Sequence, residues 1–197
     1  MTCDLAEDAF NSAKQAFRDS LADPNLYNEI LSTTTIADVY KLTAKLQEDA
    51  ASQKGLRYLA RIRPFLEGLS AYAGVLDTFI QVKPDFLALI WGPIRLILLW
   101  SSQLNQALDA IADVTAKIAQ ALPQFASMAQ IFAENDIVKA ALGVFYQDIL
   151  DFYTIVLKFF RMSRMSLFLH FTVACANMAC KVGNICLKLS GQTEEED

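Results

Sequence analysis

Apolar side chains recur every three to four positions along most of the chain, the period of an amphipathic helix. Leu5, Phe10, Ala13, Phe17 and Leu21 form one such face. Asp4 with Glu7 has the spacing of a capping box at the start of this helix. Asp23 followed by Pro24 predicts a short second helix carrying Leu26, Ile30 and Leu31, because proline fits the first helical position. Ser32 to Thr35 offer caps for a third helix with Ile36, Val39, Tyr40 and Leu46 on its inner face, and Gly55 is expected to end it. From Leu59 through Ile62, Phe65, Leu66, Leu69, Ala73 and Leu76 to Ile80 the helical spacing continues across Pro64, where a kink or a restart is expected.

Pro84 opens a central helix expected at about 84–103, in which Phe86 to Trp100 is the most apolar stretch of the body, interrupted only by Arg95. Trp91 and Trp100 are nine residues apart, half a turn out of phase, so both faces are apolar and the helix is expected to lie inside a bundle. Asp77 and Asp85 are the acids nearest Arg95 in sequence and its expected partners. Leu104, Leu108, Ile111, Ile118 and Leu122 mark another helix that should stop at Pro123. A long helix is expected at about 135–162, with Ile137, Leu142, Phe145, Ile149, Phe152, Val156 and Phe159 inward. No window alternates at period two between turn signals. The fold class is all-α, a multi-helix bundle.

Composition agrees with this and sharpens it. The 197 residues are 54% hydrophobic and 20% charged, enough for a substantial core, and the 7 glycines and 5 prolines are few for a sheet protein. The net charge of -5 argues against nucleic-acid binding. It is unevenly distributed: residues 1–151 carry a net of -6, whereas no Asp or Glu occurs from 152 to 193. Within that stretch Met165 to Cys180 is uncharged, and as a helix it would be about 24 Å long, short of a ~30 Å hydrocarbon core. Two regions are therefore expected, a helical bundle at 1–162 and an apolar tail at 163–197 ending in the acidic TEEED. That tail is expected to pack, with a membrane span or acylation as the alternatives. No signal-peptide pattern is present at the N-terminus, and a cytoplasmic location is expected.

Candidate chemistry is sparse. One histidine, His170, and cysteines at 3, 175, 180 and 186 lack the spacing of a zinc site. No phosphate-binding glycine motif and no nucleophile elbow occurs. Asp109 with Asp113, and Asp148 with Asp151, are one turn apart, which reads as solvated helix faces rather than catalytic pairs. Neither a catalytic residue, a cofactor, a metal nor a small-molecule substrate is indicated, and the chain is not expected to be an enzyme. Lys54, Arg57, Arg61 and Arg63 form a basic run that is either a wet helix face or a contact for anionic lipid or an acidic partner.

The stretches LRYLARIRPFLEGLSAYAGVLD (56–77), VKPDFLALIWGPIRLILLW (82–100) and FYQDILDFYTIVLKFF (145–160), with LPQF (122–125) between, resemble the N-terminal helical domain of fungal STAND proteins, the NLR-like family, over roughly residues 10–160. Pro64, Asp77, Pro84, Trp91, Gly92 and Pro93 carry the motif, of which Pro84 with the Trp-Gly-Pro tripeptide is the most specific part. The resemblance implies a domain of unknown function that commonly precedes a NACHT ATPase and often ankyrin repeats. It implies no catalytic residues. It points to an interaction or signalling module that binds other helical domains or itself. A membrane-associating or membrane-permeabilising bundle is the alternative. Two departures stand out, the lack of a NACHT module in this chain and the end of the likeness near Met162.

Overall fold

A computed structural model describes residues 5–21, 23–49, 53–80, 84–101, 111–113, 115–120, 122–123, 127 and 136–161. Side chains are described within 8–45, 62–76, 85–100, 111–127 and 138–161. The helices are α1 (Leu5–Leu21), α2 (Pro24–Leu31), α3 (Ile36–Asp49), α4 (Gln53–Ile80), α5 (Pro84–Ser101) and α6 (Asp136–Arg161). Helical backbone also occurs at 111–113, 115–120 and 122–123. No strand is present among the described residues. The protein is all-α.

Local chemistry accounts for the element ends. Asp23 caps α2, its Oδ1 accepting from the backbone N–H of Asn25 at 3.0 Å and of Leu26 at 3.4 Å, with Pro24 at the first position. Thr35 stands before α3, and its hydroxyl donates to the Asp38 carboxylate at 2.8 Å. Two expected helix ends are not observed. Gly55 lies in the first turn of α4 rather than at the end of α3, which is described as Ile36–Asp49. Helical backbone includes Leu122 and Pro123, and the Ser127 hydroxyl donates to the Pro123 carbonyl at 3.1 Å. A proline breaks a helix only where the missing N–H and the ring clash are not accommodated. Pro64 likewise lies inside α4, exposed, without restarting it.

Helices α1, α5 and α6 run side by side in one direction. Phe10, near the start of α1, meets Phe86 near the start of α5 and Tyr146 in α6, with ring centroids 6.0 and 5.0 Å away. At the other end Trp100 of α5 meets Phe160 of α6 at 6.2 Å. The hydroxyls of Ser20 and Thr154 are 3.0 Å apart between α1 and α6. A Cβ on Gly143 would lie 3.0 Å from the Ala9 Cβ, so small residues let these two helices approach closely. Helix α5 also packs against α2 and α3, and α4 packs against α3. Tyr72 holds α4 to α6, donating to the Leu142 carbonyl at 2.8 Å and meeting Phe145 edge-on at 4.9 Å.

Burial follows the expected faces with informative exceptions. Phe10, Ala13, Phe17 and Leu21 are buried in α1, and so are Ile62, Phe65, Leu66, Leu69, Ala73 and Leu76 in α4. In α5 nearly every described side chain from Phe86 to Leu98 is buried, Trp91 at 3% exposure, while Trp100 is half-buried. The apolar face of α6 is broader than a single stripe, adding Tyr146, Leu150, Tyr153 and Leu157. Tyr40, expected inward, is exposed. Asp148, expected on a wet face, is 7% exposed, whereas Asp151 is exposed as expected. Asp109 lies outside the described residues, and Asp113 and Lys117 are exposed.

Candidate functional site

The Trp-Gly-Pro motif sits at the crossing of α2 over α5. A Cβ on Gly92 would lie 2.2 Å from the Ile30 carbonyl oxygen and 2.8 Å from its carbon. Glycine is thus required by contact with the backbone of another helix, which cannot rotate away. Pro93 follows, and proline clashes with the Cβ of the residue before it in helical conformation. Gly92 removes that clash as well. Trp91, Gly92 and Pro93 are all buried, Pro84 is the first residue of α5, and Pro64 is 20 residues earlier on the exposed side of α4. These motif residues build the bundle; they do not converge on one surface. The side chain of Asp77 lies outside the described residues.

Of the basic run, only the Arg63 side chain is described. It is exposed, and its Nε lies 3.2 Å from Glu67 Oε1, an ion pair one turn along α4. Exposed pairs of this kind contribute little to stability. Lys54, Arg57 and Arg61 have side chains outside the described residues, as do His170 and all four cysteines. Arg95 is half-buried and does not pair with Asp85. Asp85 instead accepts from Lys14 of α1, with Nζ to Oδ2 at 2.9 Å. An acid in the first turn of a helix points back toward its neighbours, which places Asp85 within reach of α1 rather than of a residue ten positions along its own helix.

That pair belongs to a polar and aromatic cluster that sequence reasoning missed. Lys14 Nζ lies 5.5 Å from the Phe86 ring, and the Arg18 guanidinium lies 5.7 Å from the Tyr27 ring. The Tyr146 hydroxyl donates to the Phe86 carbonyl at 3.1 Å. Burial pushes the phenols of Tyr72, Tyr146 and Tyr153 well above the ordinary tyrosine range, and that of Tyr27 upward. The hydroxyls of Tyr27 and Tyr153 are buried without a hydrogen-bond partner. Lys14, Asp85 and Tyr146 come from three helices, and no local pattern announces their meeting. The arrangement neutralises charge and closes a packing junction. Among the described residues no three His, Cys, Asp or Glu side chains are grouped to hold a metal ion.

A second junction lies at the opposite end of the bundle. Arg161 Nη2 is 3.1 Å from Asp23 Oδ2, and Nη1 donates to the Leu21 carbonyl at 3.4 Å. Asp23 therefore caps α2 with one oxygen and ties down the end of α6 with the other.

Comparison with known families adds one finding. The family described as Domain of unknown function (DUF7708) matches residues 60–183. The chain belongs to the DUF7708 family. The matched DUF7708 span starts within α4 and runs past residue 162, where composition places the start of the tail. No curated protein matches the chain, and no solved structure matches it.

Proposed function

We propose that this DUF7708 chain is a non-catalytic helical interaction module of the cytoplasm, acting in signalling as the N-terminal domains of fungal NLR-like proteins do. Its partners are other helical domains or a second copy of itself, and it takes no cofactor, nucleic acid or small-molecule substrate. The supporting observation is how the described polar groups are engaged. Tyr72, Tyr146 and Thr115 donate to backbone carbonyls of the bundle, and the ion pairs Lys14–Asp85, Lys41–Asp38, Arg63–Glu67 and Arg161–Asp23 lie toward the surface. The Tyr72 and Tyr146 hydrogen bonds and the Lys14–Asp85 and Arg161–Asp23 pairs hold helices to one another, the others close within a single turn, and recognition then falls to the outside of the bundle.

Among the described residues, Val144, 50% exposed on α6, and Tyr40, 40% exposed on α3, are the large apolar side chains offered there. Sedimentation of the purified chain over a wide concentration range, alone and with purified helical domains, tests the proposal. Self-association or binding that Val144→Asp or Tyr40→Asp weakens is the expected result. A chain that stays monomeric and binds no helical domain refutes it.

The second reading is association with an anionic membrane through Lys54, Arg57, Arg61 and Arg63 or through the tail. One observation favours it: α6 from Val138 to Arg161 is 24 residues long and holds an 18-residue window with a mean hydropathy of 1.3, long and apolar enough to cross a bilayer by length and composition. The same helix has 61% of that window buried in the bundle. It also exposes Gln147, Asp151 and Lys158 along one side, which is the pattern of a core helix. Flotation with phosphatidylserine vesicles decides, and failure of the chain to float removes this reading.

A further inference from the structure

We infer that Arg18, exposed on α1 beside α2, receives a carboxylate from an acidic segment of a partner protein. Its guanidinium lies 5.7 Å over the Tyr27 ring. Tyr27 is 7% exposed and packed in the core, so that ring is a fixed platform. Among the described residues no carboxylate or carbonyl takes any of the five N–H donors of Arg18. Asp19, its neighbour in sequence, is engaged by the Gln15 amide at 2.9 Å. The cations nearest to it in kind are occupied. Lys14, over the Phe86 ring, is paired with Asp85, while Arg63 and Arg161 are paired with Glu67 and Asp23. Arg18 is the one described cation that lies over an aromatic ring and has no carboxylate.

Shape and charge define the ligand. A guanidinium is planar and weakly hydrated, and its forked N–H groups match the two oxygens of a carboxylate. The ring beneath it restricts the side chain beforehand, so less freedom is lost on binding. Lys14, one turn before Arg18 on α1, pairs with Asp85 at 2.9 Å. The junction of α1, α2 and α5 thus holds two cations against one carboxylate, an excess of one positive charge. One carboxylate matches that excess. A doubly charged phosphoryl group would be opposed by Asp85, whose side chain is 54% exposed and acts on the Tyr27 phenol together with Lys14 and Arg18. The inference rests on the interaction reading of the chain and adds to it the chemistry of the partner.

Fluorescence anisotropy of the full chain with two labelled helical peptides tests it. The peptides share one apolar face and differ only in carrying Glu or Gln on the other. The Glu peptide is expected to bind about tenfold more tightly, the difference shrinking as salt is raised. Arg18→Ala should abolish the preference, and Arg18→Lys, which keeps the charge without the fork, should reduce it several-fold. Tyr27→Phe keeps the ring and should leave the preference unchanged. Arg18 is exposed, so its variants should retain the helical signal. Should Arg18→Ala nevertheless unfold the chain, Arg18→Lys decides alone. Equal binding of the two peptides overturns the inference, and so does a preference that survives Arg18→Ala or is undiminished in Arg18→Lys. Tighter binding of a peptide with phosphoserine in place of Glu assigns the site to phosphate and also overturns it. If neither peptide binds, the inference falls; the interaction reading falls with it only when the chain also stays monomeric and binds no helical domain.

Discussion

Replacing Gly92 with alanine tests the account of the bundle most directly. The added Cβ would sit 2.2 Å from the Ile30 carbonyl oxygen, where ordinary contact begins near 3.4 Å. The two helices must therefore separate by about 1 Å, a gap large enough to forfeit a quarter to a half of the dispersion attraction across it. Leu26, Tyr27 and Ile30 of α2 are the buried side chains that lose contact. Overpacked cores lose about 1–3 kcal/mol, and a clash against backbone belongs at the upper end. Alanine regains up to about 1 kcal/mol through its better helix propensity. The net expectation is a loss of about 2 kcal/mol, or a fall of roughly 4–8 °C in Tm for a chain of this size.

Gly74→Ala is the control, since a Cβ there meets nothing within 4 Å. It should gain roughly 0.5–1 kcal/mol. Gly68→Ala should fall between the two, because its contacts are with a side chain rather than backbone: the Leu122 Cδ1 at 2.9 Å can rotate away, while the Leu122 Cβ at 3.0 Å cannot. Urea unfolding followed by circular dichroism, with an unchanged m-value, measures all three. A Gly92→Ala protein as stable as the parent would refute the crossing geometry.

Tyr72→Phe and Tyr153→Phe remove the same atom from equally buried rings with opposite expected results. The first loses a hydrogen bond to the Leu142 carbonyl and should cost about 1 kcal/mol, whereas the second removes a hydroxyl without a partner and should be neutral or stabilising in urea unfolding. The raised phenols of Tyr72, Tyr146 and Tyr153 predict alkaline unfolding. Their contribution is complete below the unfolded value of 10.0 and is lost as pH rises above it, because only the unfolded chain then releases these protons. Three such groups give a slope of about 4 kcal/mol per pH unit, and phenolate absorbance should appear together with loss of helical signal. Asp23→Ala removes the α2 cap and should cost about 0.5–2 kcal/mol, with Asp23→Asn recovering most of it. Thermal unfolding of both variants checks this.

The order and type of the helices were legible from the chain alone because helical periodicity and capping are local. Asp23 with Pro24 marked the start of α2, Pro84 that of α5, and the repeat from Leu142 to Val156 marked α6. Trp91 and Trp100 on opposite faces announced a helix surrounded by others. Gly55 and Pro123 misled because each breaks a helix only when its surroundings do not accommodate it. Tyr40 and Asp148 show the limit of periodicity, which gives the faces of a helix but not how far its neighbours extend over each one.

The meetings between helices were decided by the tertiary structure. The pairing of Asp85 with Lys14 instead of Arg95, the joint use of Asp23 by α2 and Arg161, and the contact of Gly92 with the Ile30 carbonyl all join residues far apart in the chain. Side-chain pattern specifies which face is apolar at every turn, but the angle and height at which two such faces cross depend on the shapes of both. The glycine of the Trp-Gly-Pro motif could be read as special from the sequence; that it makes room for a carbonyl sixty-two residues earlier follows only from the packed bundle.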